Sequence, residues 1–351
     1  MSQDIIILWY RNDLRIHDHQ PLHKALKANA QIIPIYCLDP RQFSKTNFGF
    51  PKTGIFRAKF LLESLVDLRN SLQKLGSNLV IFKEKPEIAI PRLAQQLSAK
   101  SVFFHQEVTA EEIQVETVVY QALKKNGVKL KSFWSHTLYH PDDLPFDIKQ
   151  LPELFTNFRK DVEKNSSVNP TFSTPQKLPS LPKIDVGELP SLSDLNLDIT
   201  PLNSRGVLDF KGGETAGKER VKNYFWQQDC LRVYKETRNG MLGANYSSKL
   251  SPWLALGCLS PRYIYEQVKE YEYQRVKNQS TYWLLFELLW RDYFRFICQK
   301  HGNKVFHKSG LQGVAIPWKE DWVTFQKWQE GKTGFPLVAV SYTHLRAHET
   351  Q

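Results

Sequence analysis

A doubly wound α/β domain followed by an all-α domain is the fold class that the sequence predicts, and three observations carry it. Over residues 1–135 short β-branched and aromatic runs alternate with longer amphipathic stretches; from about 160 to 205 that periodicity dissolves; from Glu214 onward it becomes helical and stays so. Alternating strands and helices need crossover connections, which give a parallel sheet covered by helices on both faces.

In chain order, strands are predicted at 5–10, 31–38, 78–82, 101–105 and 128–133, with helices at about 20–28, 56–75, 87–98 and 109–126. Each strand run is short and apolar, as a buried parallel strand requires. Thr109 followed by Glu112 matches an N-terminal capping box. Six prolines between Pro170 and Pro201, interleaved with serines, sustain neither helix nor central strand, so residues 136–205 are expected to be an interdomain linker lying over the surface. Residues 206–338 are expected to form the helical domain. The last residues, 339–351 (AVSYTHLRAHETQ after Val338), lack continuity with what precedes them and are expected to be a non-native tail.

With 351 residues, 41% apolar and 24% charged, the chain has the composition of a globular protein of about two domains. No stretch approaches the roughly 20 apolar residues of a membrane span, and the N-terminus lacks a signal pattern. Cys37, Cys230, Cys258 and Cys298 are widely spaced, which predicts no disulfide framework and no thiolate metal site. A soluble protein of a reducing compartment is expected, with a bacterial cytoplasm favoured over an organelle or the nucleus, which the sequence leaves open. The net charge is +11; residues 203–338 hold 21 basic against 13 acidic side chains, hence +8 of it, together with 24 of the 44 aromatics. Positive charge combined with stacking surface suits single-stranded nucleic acid, and equally an aromatic-cored helical domain with a solvated basic face.

Two local patterns are set aside. Gly212 to Lys218 fits GxxxxGK, but Glu219 replaces the hydroxyl residue of a phosphate loop and no strand precedes it, so Gly212, Gly213 and Glu214 are expected to begin a helix. His344 and His348 lie four apart without a third ligand, and no metal site is predicted.

The segments 9–18 (WYRNDLRIHD), 212–220, 245–254 (NYSSKLSPWL), 286–295 (FELLWRDYFR) and 328–336 (WQEGKTGFP) resemble the photolyase and cryptochrome family, most closely its cryptochrome DASH branch, in order over residues 3–338. The resemblance implies a photolyase-like α/β domain and a helical domain holding FAD. Tyr234, Ser247, Ser248, Lys249, Leu250, Ser251, Glu287 and Arg291 match flavin-binding positions. Serine hydroxyls, backbone amides and the Lys249 cation make a sensible anion site, though many relatives carry Arg at Lys249 and with it a bidentate contact. Glu287 is expected to hydrogen-bond a damaged pyrimidine and Trp290 to stack on it; three apart on a helix, they would face one cavity, with Glu287 a buried carboxyl that can share a proton there. Arg238 matches a DNA-backbone contact. Seen without the family, Trp290 would be core and Glu287 with Arg291 an ordinary helix pair.

The implied reaction is light-driven splitting of cyclobutane pyrimidine dimers by an electron from reduced FAD, preferentially in single-stranded DNA, by a monomer. A blue-light receptor without repair activity and a nucleotide-binding α/β module are the alternatives. Glu107 matches the acidic position that holds a 5,10-methenyltetrahydrofolate antenna, although Phe306 stands where some such relatives have Lys. Trp318 matches the outermost tryptophan of a flavin-photoreducing relay whose inner members would lie beyond Val338. On this reading the chain lacks part of the family's helical domain and is expected to bind FAD weakly or not at all as it stands.

Overall fold

The structure, a computed structural model, describes residues 3–47, 49–197, 208–240 and 243–339. A five-stranded parallel sheet comes first, with β1 (Ile5–Tyr10), β2 (Gln31–Cys37), β3 (Val80–Phe82), β4 (Ser101–His105) and β5 (Lys129–Phe133) in the order β3-β2-β1-β4-β5. The crossovers are α1 (Gln20–Lys27), α2 (Ile55–Lys74), α3 (Pro86–Gln96) and α4 (Ala110–Lys125). Each predicted strand and helix is found to within two residues. Strand order reverses beside central β1, which is buried on both faces. Because side chains alternate along a strand, Ile6, Leu8 and Tyr10 enter the core shared with α2 and the helical domain, whereas Ile7 and Trp9 pack with Ile90, Leu93, Val119 and Leu123 of α3 and α4.

Thr109 does cap α4, but its hydroxyl donates to the Glu112 carboxylate and not to the backbone, so the expected reciprocal box is replaced by a side-chain pair. The connector also departs from expectation. It contains a helix, α5 (Phe155–Asn165), whose Phe155, Phe158 and Val162 are buried, because an i, i+3, i+7 apolar stripe precedes the proline-rich part. Farther on, the Ile81 amide donates to Val186 O (2.9 Å) and Arg69 donates to the carbonyls of Leu79, Val186 and Gly187. The connector thereby covers the β3 edge of the sheet. Its predicted end, 198–205, lies outside the described residues, as do residues 340–351 of the predicted tail with His344 and His348.

The helical part comprises α6 (Glu214–Lys222), a π-helical turn (Asn223–Gln227), α7 (Tyr234–Thr237), α8 (Ser251–Ala255), α9 (Pro261–Gln274), α10 (Gln279–His301) and α11 (Trp322–Gln329). The 23-residue α10 starts at a capping box of Asn278 and Thr281. Among the described residues no helix is long and apolar enough to cross a membrane.

The two parts meet along a seam built on the 11–18 segment. Buried Arg15 donates to Gly257 O (2.9 Å) and Ser135 O (3.2 Å). Asp18 is ion-paired with Arg262 and accepts from Ser260, and it also accepts from the Phe172 amide (3.1 Å). Glu214 accepts from the amides of Ile16 (2.7 Å) and His17 (3.2 Å). The GxxxxGK stretch therefore starts α6, as expected, and its Gly212 and Thr215 amides donate to Glu63 and Asp67, carboxylates that stand where a phosphate would have to sit. Asp292 of α10 accepts from the Leu138 (2.8 Å) and Tyr139 (3.2 Å) amides while its other oxygen has no partner.

Gly257 has φ +64°, and a Cβ there would stand 1.9 Å from Asn12 O, so Gly257→Ala is expected to cost at least about 2 kcal/mol in urea unfolding. Burial raises the Asp292 carboxyl from 3.8 to about 7. The folded state thus binds this proton more tightly than the unfolded chain; the stability it contributes is complete below pH 3.8 and is lost as pH rises toward 7. Asp292→Asn keeps an acceptor without the charge and is expected to flatten that dependence, by about 2–3 kcal/mol between pH 5 and 7.5 in unfolding free energy from urea titrations.

Candidate functional site

A cleft of about 370 Å³ opens in the helical part, lined by Tyr234, residues 247–251, Leu254, Ala255, Leu284, Glu287, Leu288 and Arg291. Positions 284, 287, 288 and 291 form the i, i+3, i+4, i+7 stripe of α10, so one helix face supplies an apolar floor with an acid and a base. Tyr234 comes from α7, and Ser247, Ser248, Lys249, Leu250 and Ser251 form the turn that enters α8. All eight sequence-predicted flavin-binding residues therefore line one cavity.

The 244–248 turn is shaped from behind by Arg220 of α6, a residue that sequence reasoning did not single out. Its guanidinium donates to Ala244 O (2.9 Å), Asn245 Oδ1 (2.9 Å), Ser247 O (3.2 Å) and Ser248 O (3.0 Å). Lys249 then takes a left-handed φ of 51°, unusual outside glycine, and α8 begins two residues later. Nothing in the order of residues links position 220 to the turn, because the contact spans 24 residues or more.

Glu287 is ion-paired with Arg238, whose guanidinium also lies over Trp283 (5.7 Å) beside Lys235 (4.9 Å). The Glu287 side chain is only half-buried, at 34% exposure, so the buried lone carboxyl expected from sequence is instead a paired one at the cleft. Burial and the nearby Glu287 carboxylate push the Tyr234 phenol up. Arg291 donates to His136 O and to Leu254 O (3.1 Å), tying α8 to the residues after β5. Burial and Arg295 push it down to about 9, which leaves it cationic at neutral pH.

Trp290 requires a correction. It does not line the cleft; its ring stacks on Phe155 (3.6 Å, 12°) and on Phe294 (5.4 Å, 27°). The reason is α5: Trp283, Phe286, Trp290 and Phe294 form an aromatic stripe on α10 beside the cleft stripe, and Phe155 packs on it. Trp318 is 63% exposed, donates its indole N–H to Lys308 O (3.1 Å) and has no ring partner among the described residues.

A second cleft, of about 420 Å³, runs between the α/β domain and α10 and is lined by Glu107, Glu116, Gln106, Tyr120, Ser132 and Gln299 among others; Phe306 is not part of it. Buried Glu107 accepts from Asn12 (3.0 Å), His136 (3.2 Å) and Arg295 (3.1 Å). Burial alone would raise its pKa, but Arg295, His105, Arg11 and the Asn12 bond outweigh it and hold it below the usual carboxylate value. His105 at the end of β4, Glu107 just after it and His136 from after β5 bring three potential metal ligands within 4.8 Å. The field of Arg295, Arg291, Arg15 and Arg11 around His136 opposes a divalent cation, and the Glu107 oxygens are engaged; His136 is hydrogen-bonded to Glu107, and the His105 ring packs edge-on against the His136 ring (3.5 Å) with its own Nδ1 on Ser135.

Residues 6–182 match the family model of DNA photolyase, and residues 283–349 match that of the FAD binding domain of DNA photolyase. A cryptochrome DASH of Gloeobacter violaceus is 57% identical over 99% of this chain and 69% of its own length. A cryptochrome DASH of a Synechocystis species is 52% identical over 97% of this chain and 70% of its own. The crystal structure of a Synechocystis cryptochrome superposes with a TM-score of 0.95 at 49% identity, covering all of this chain and 73% of that one.

Removing the ring that stacks on Trp290, by Phe155→Ala, is expected to cost about 3–5 kcal/mol in denaturant unfolding, as deletion of a buried aromatic does. A cost below about 1 kcal/mol would mean that Trp290 does not rest on α5.

Proposed function

Because the chain belongs to the photolyase and cryptochrome family, we propose that it is a cryptochrome DASH-type flavoprotein that splits cyclobutane pyrimidine dimers with light, preferentially in single-stranded DNA. The observation that carries this reading is the convergence of Tyr234, Ser247, Ser248, Lys249, Leu250, Ser251, Glu287 and Arg291 on one cleft from three separate stretches of sequence.

The donor set fits a dinucleotide: hydroxyls, a lysine cation and peptide N–H groups at one end for a diphosphate, and Leu254, Leu284 and Leu288 for a flat apolar ring. FAD, when bound there, supplies the light-absorbing electron donor. Ser247, Ser248 and Lys249 hold its diphosphate, and the leucines keep water from the ring. Arg291 fixes the turn after Leu254 and keeps one wall in place.

In this reading a strand enters at the Arg238–Glu287 pair. A backbone phosphate competes with Glu287 for Arg238, since it takes the planar fork in a bidentate contact as a carboxylate does. Exchange of partners frees the Glu287 carboxyl to accept from, or share a proton with, the edge of an extruded pyrimidine. Extrusion from a duplex costs a few kcal/mol and less from a single strand, which favours the latter substrate. Lys235 and Arg238 over Trp283 add the charge and aromatic surface that a strand needs. Trp290, held on Phe155, acts as the packing that sets the α10 register and not as the stacking platform.

The second cleft suits a folate-type antenna by position, with Glu116, Gln106 and Ser132 as polar partners and Glu107 already engaged by the protein. Trp318, on the surface, is placed to pass electrons from solvent only if further aromatic groups join it to the cleft. A monomer suffices for the reaction, because one chain carries every group named.

The test is blue-light irradiation of the flavin-loaded chain with a single-stranded oligonucleotide carrying one dimer, followed by chromatography. Dimer loss is expected, and Glu287→Gln is expected to slow it on the order of 10–100-fold. Bound, photoreducible flavin without any dimer loss would favour a blue-light receptor.

A further inference from the structure

Arg220 is unusual in where its hydrogen bonds go. It is 7% exposed, and the four acceptors of its guanidinium all lie in the five residues 244–248. Three of them are main-chain carbonyls. In a trans peptide the N–H points opposite to the C=O, so turning the carbonyls of Ala244, Ser247 and Ser248 onto Arg220 directs the amides of Asn245, Ser248 and Lys249 away from it. At Ser248 and Lys249 those amides belong to residues that line the cleft.

The turn that results is one that the chain would not adopt unaided. Lys249 in the left-handed region is strained by its Cβ, and such conformations persist where surrounding contacts over-determine them. The clamp ends on the carbonyl of Ser248, the residue just before it. A lysine at 220 could not replace it, because a compact ammonium has three donors and no rigid fork to span three carbonyls and an amide. Arg220 is itself held in place by the ring of Tyr224 (5.0 Å) one helical turn on, and its helix begins at Glu214, the carboxylate clasped by the 11–18 segment.

We infer that Arg220 is a positioning residue that pre-forms the anion-binding turn, so that affinity for a phosphate-bearing flavin is set by a side chain that does not touch the ligand. This rests on the assignment of the cleft to FAD and adds the element that makes its diphosphate end selective. Since ordering a loop at the moment of binding subtracts from affinity, a turn shaped beforehand binds more tightly than the same residues left free.

The decisive comparison is FAD against riboflavin, which has the same ring system and no phosphate, titrated into the unaltered chain, Arg220→Lys and Asn245→Ala. Arg220→Lys is expected to weaken FAD binding about tenfold or more with riboflavin affinity unchanged within about twofold. Asn245→Ala removes one of four clamp contacts from a residue outside the cleft lining and is expected to lower FAD affinity about threefold, again without affecting riboflavin. Equal losses for both ligands would make Arg220 a general structural residue, and no loss of FAD affinity would remove its role; either result overturns the inference. If Arg220→Lys fails to fold, Asn245→Ala decides by the same criteria. Should the unaltered chain bind FAD no better than riboflavin, the assignment of the cleft itself fails, and that is visible before any substitution is made.

Discussion

Burial of the 11–18 segment between the two halves of the molecule is the constraint on which the remaining structure depends. The segment carries Arg11, Asp13, Arg15 and Asp18, and charges taken from water must be paired and hydrogen-bonded. Asp13 is paired with His19 at 2.7 Å, Asp18 with Arg262, Arg15 with carbonyls from both sides of the seam, and the segment's own amides with Glu214. Satisfying these groups leaves little freedom in how α6, α8 and α9 sit on the sheet. The cleft is a consequence: its walls are α8 and the turn before it, held by Arg220 of α6.

Helix α10 distributes the second set of constraints by face. One stripe packs its rings on α5, the next lines the cleft with Glu287 and Arg291, and Asp292 and Arg295 reach the residues after β5 and Glu107. A helix so engaged on three sides cannot rotate without breaking buried contacts. The two clefts are therefore joined through one rigid element: Arg291 lines the first, and Arg295, four residues on, donates to Glu107 in the wall of the second. Preorganisation of this kind keeps charged groups oriented before any ligand arrives.

Much of this was legible in the sequence where local rules act alone. Strands with β-branched residues and amphipathic helices of 8–20 residues announce themselves by period, so the α/β half emerged with its boundaries. The cleft residues were legible through motif resemblance, since residues 247–251 are contiguous and 287 and 291 share a helix face. Trp290 was placed wrongly because helical spacing of three allows either of two neighbouring faces, and only the packing of Phe155, 135 positions earlier, selects between them. The Thr109 box failed for a similar reason: the hydroxyl had two possible acceptors, and geometry chose the carboxylate.

By itself, then, the sequence determined the two-part architecture, the parallel sheet, the start of α6 at a GxxxxGK-like stretch and eight of the residues that line the cleft. Only the tertiary structure decided what holds that cleft in shape: Arg220 beneath its turn, Arg238 against Glu287, Phe155 under Trp290, and the engagement of Glu107 by three donors. The division is physical. Periodicity and local hydrogen bonding extend over a few residues, whereas a guanidinium finds its acceptors wherever the fold brings carbonyls within 3 Å, and sequence distance places no limit on that.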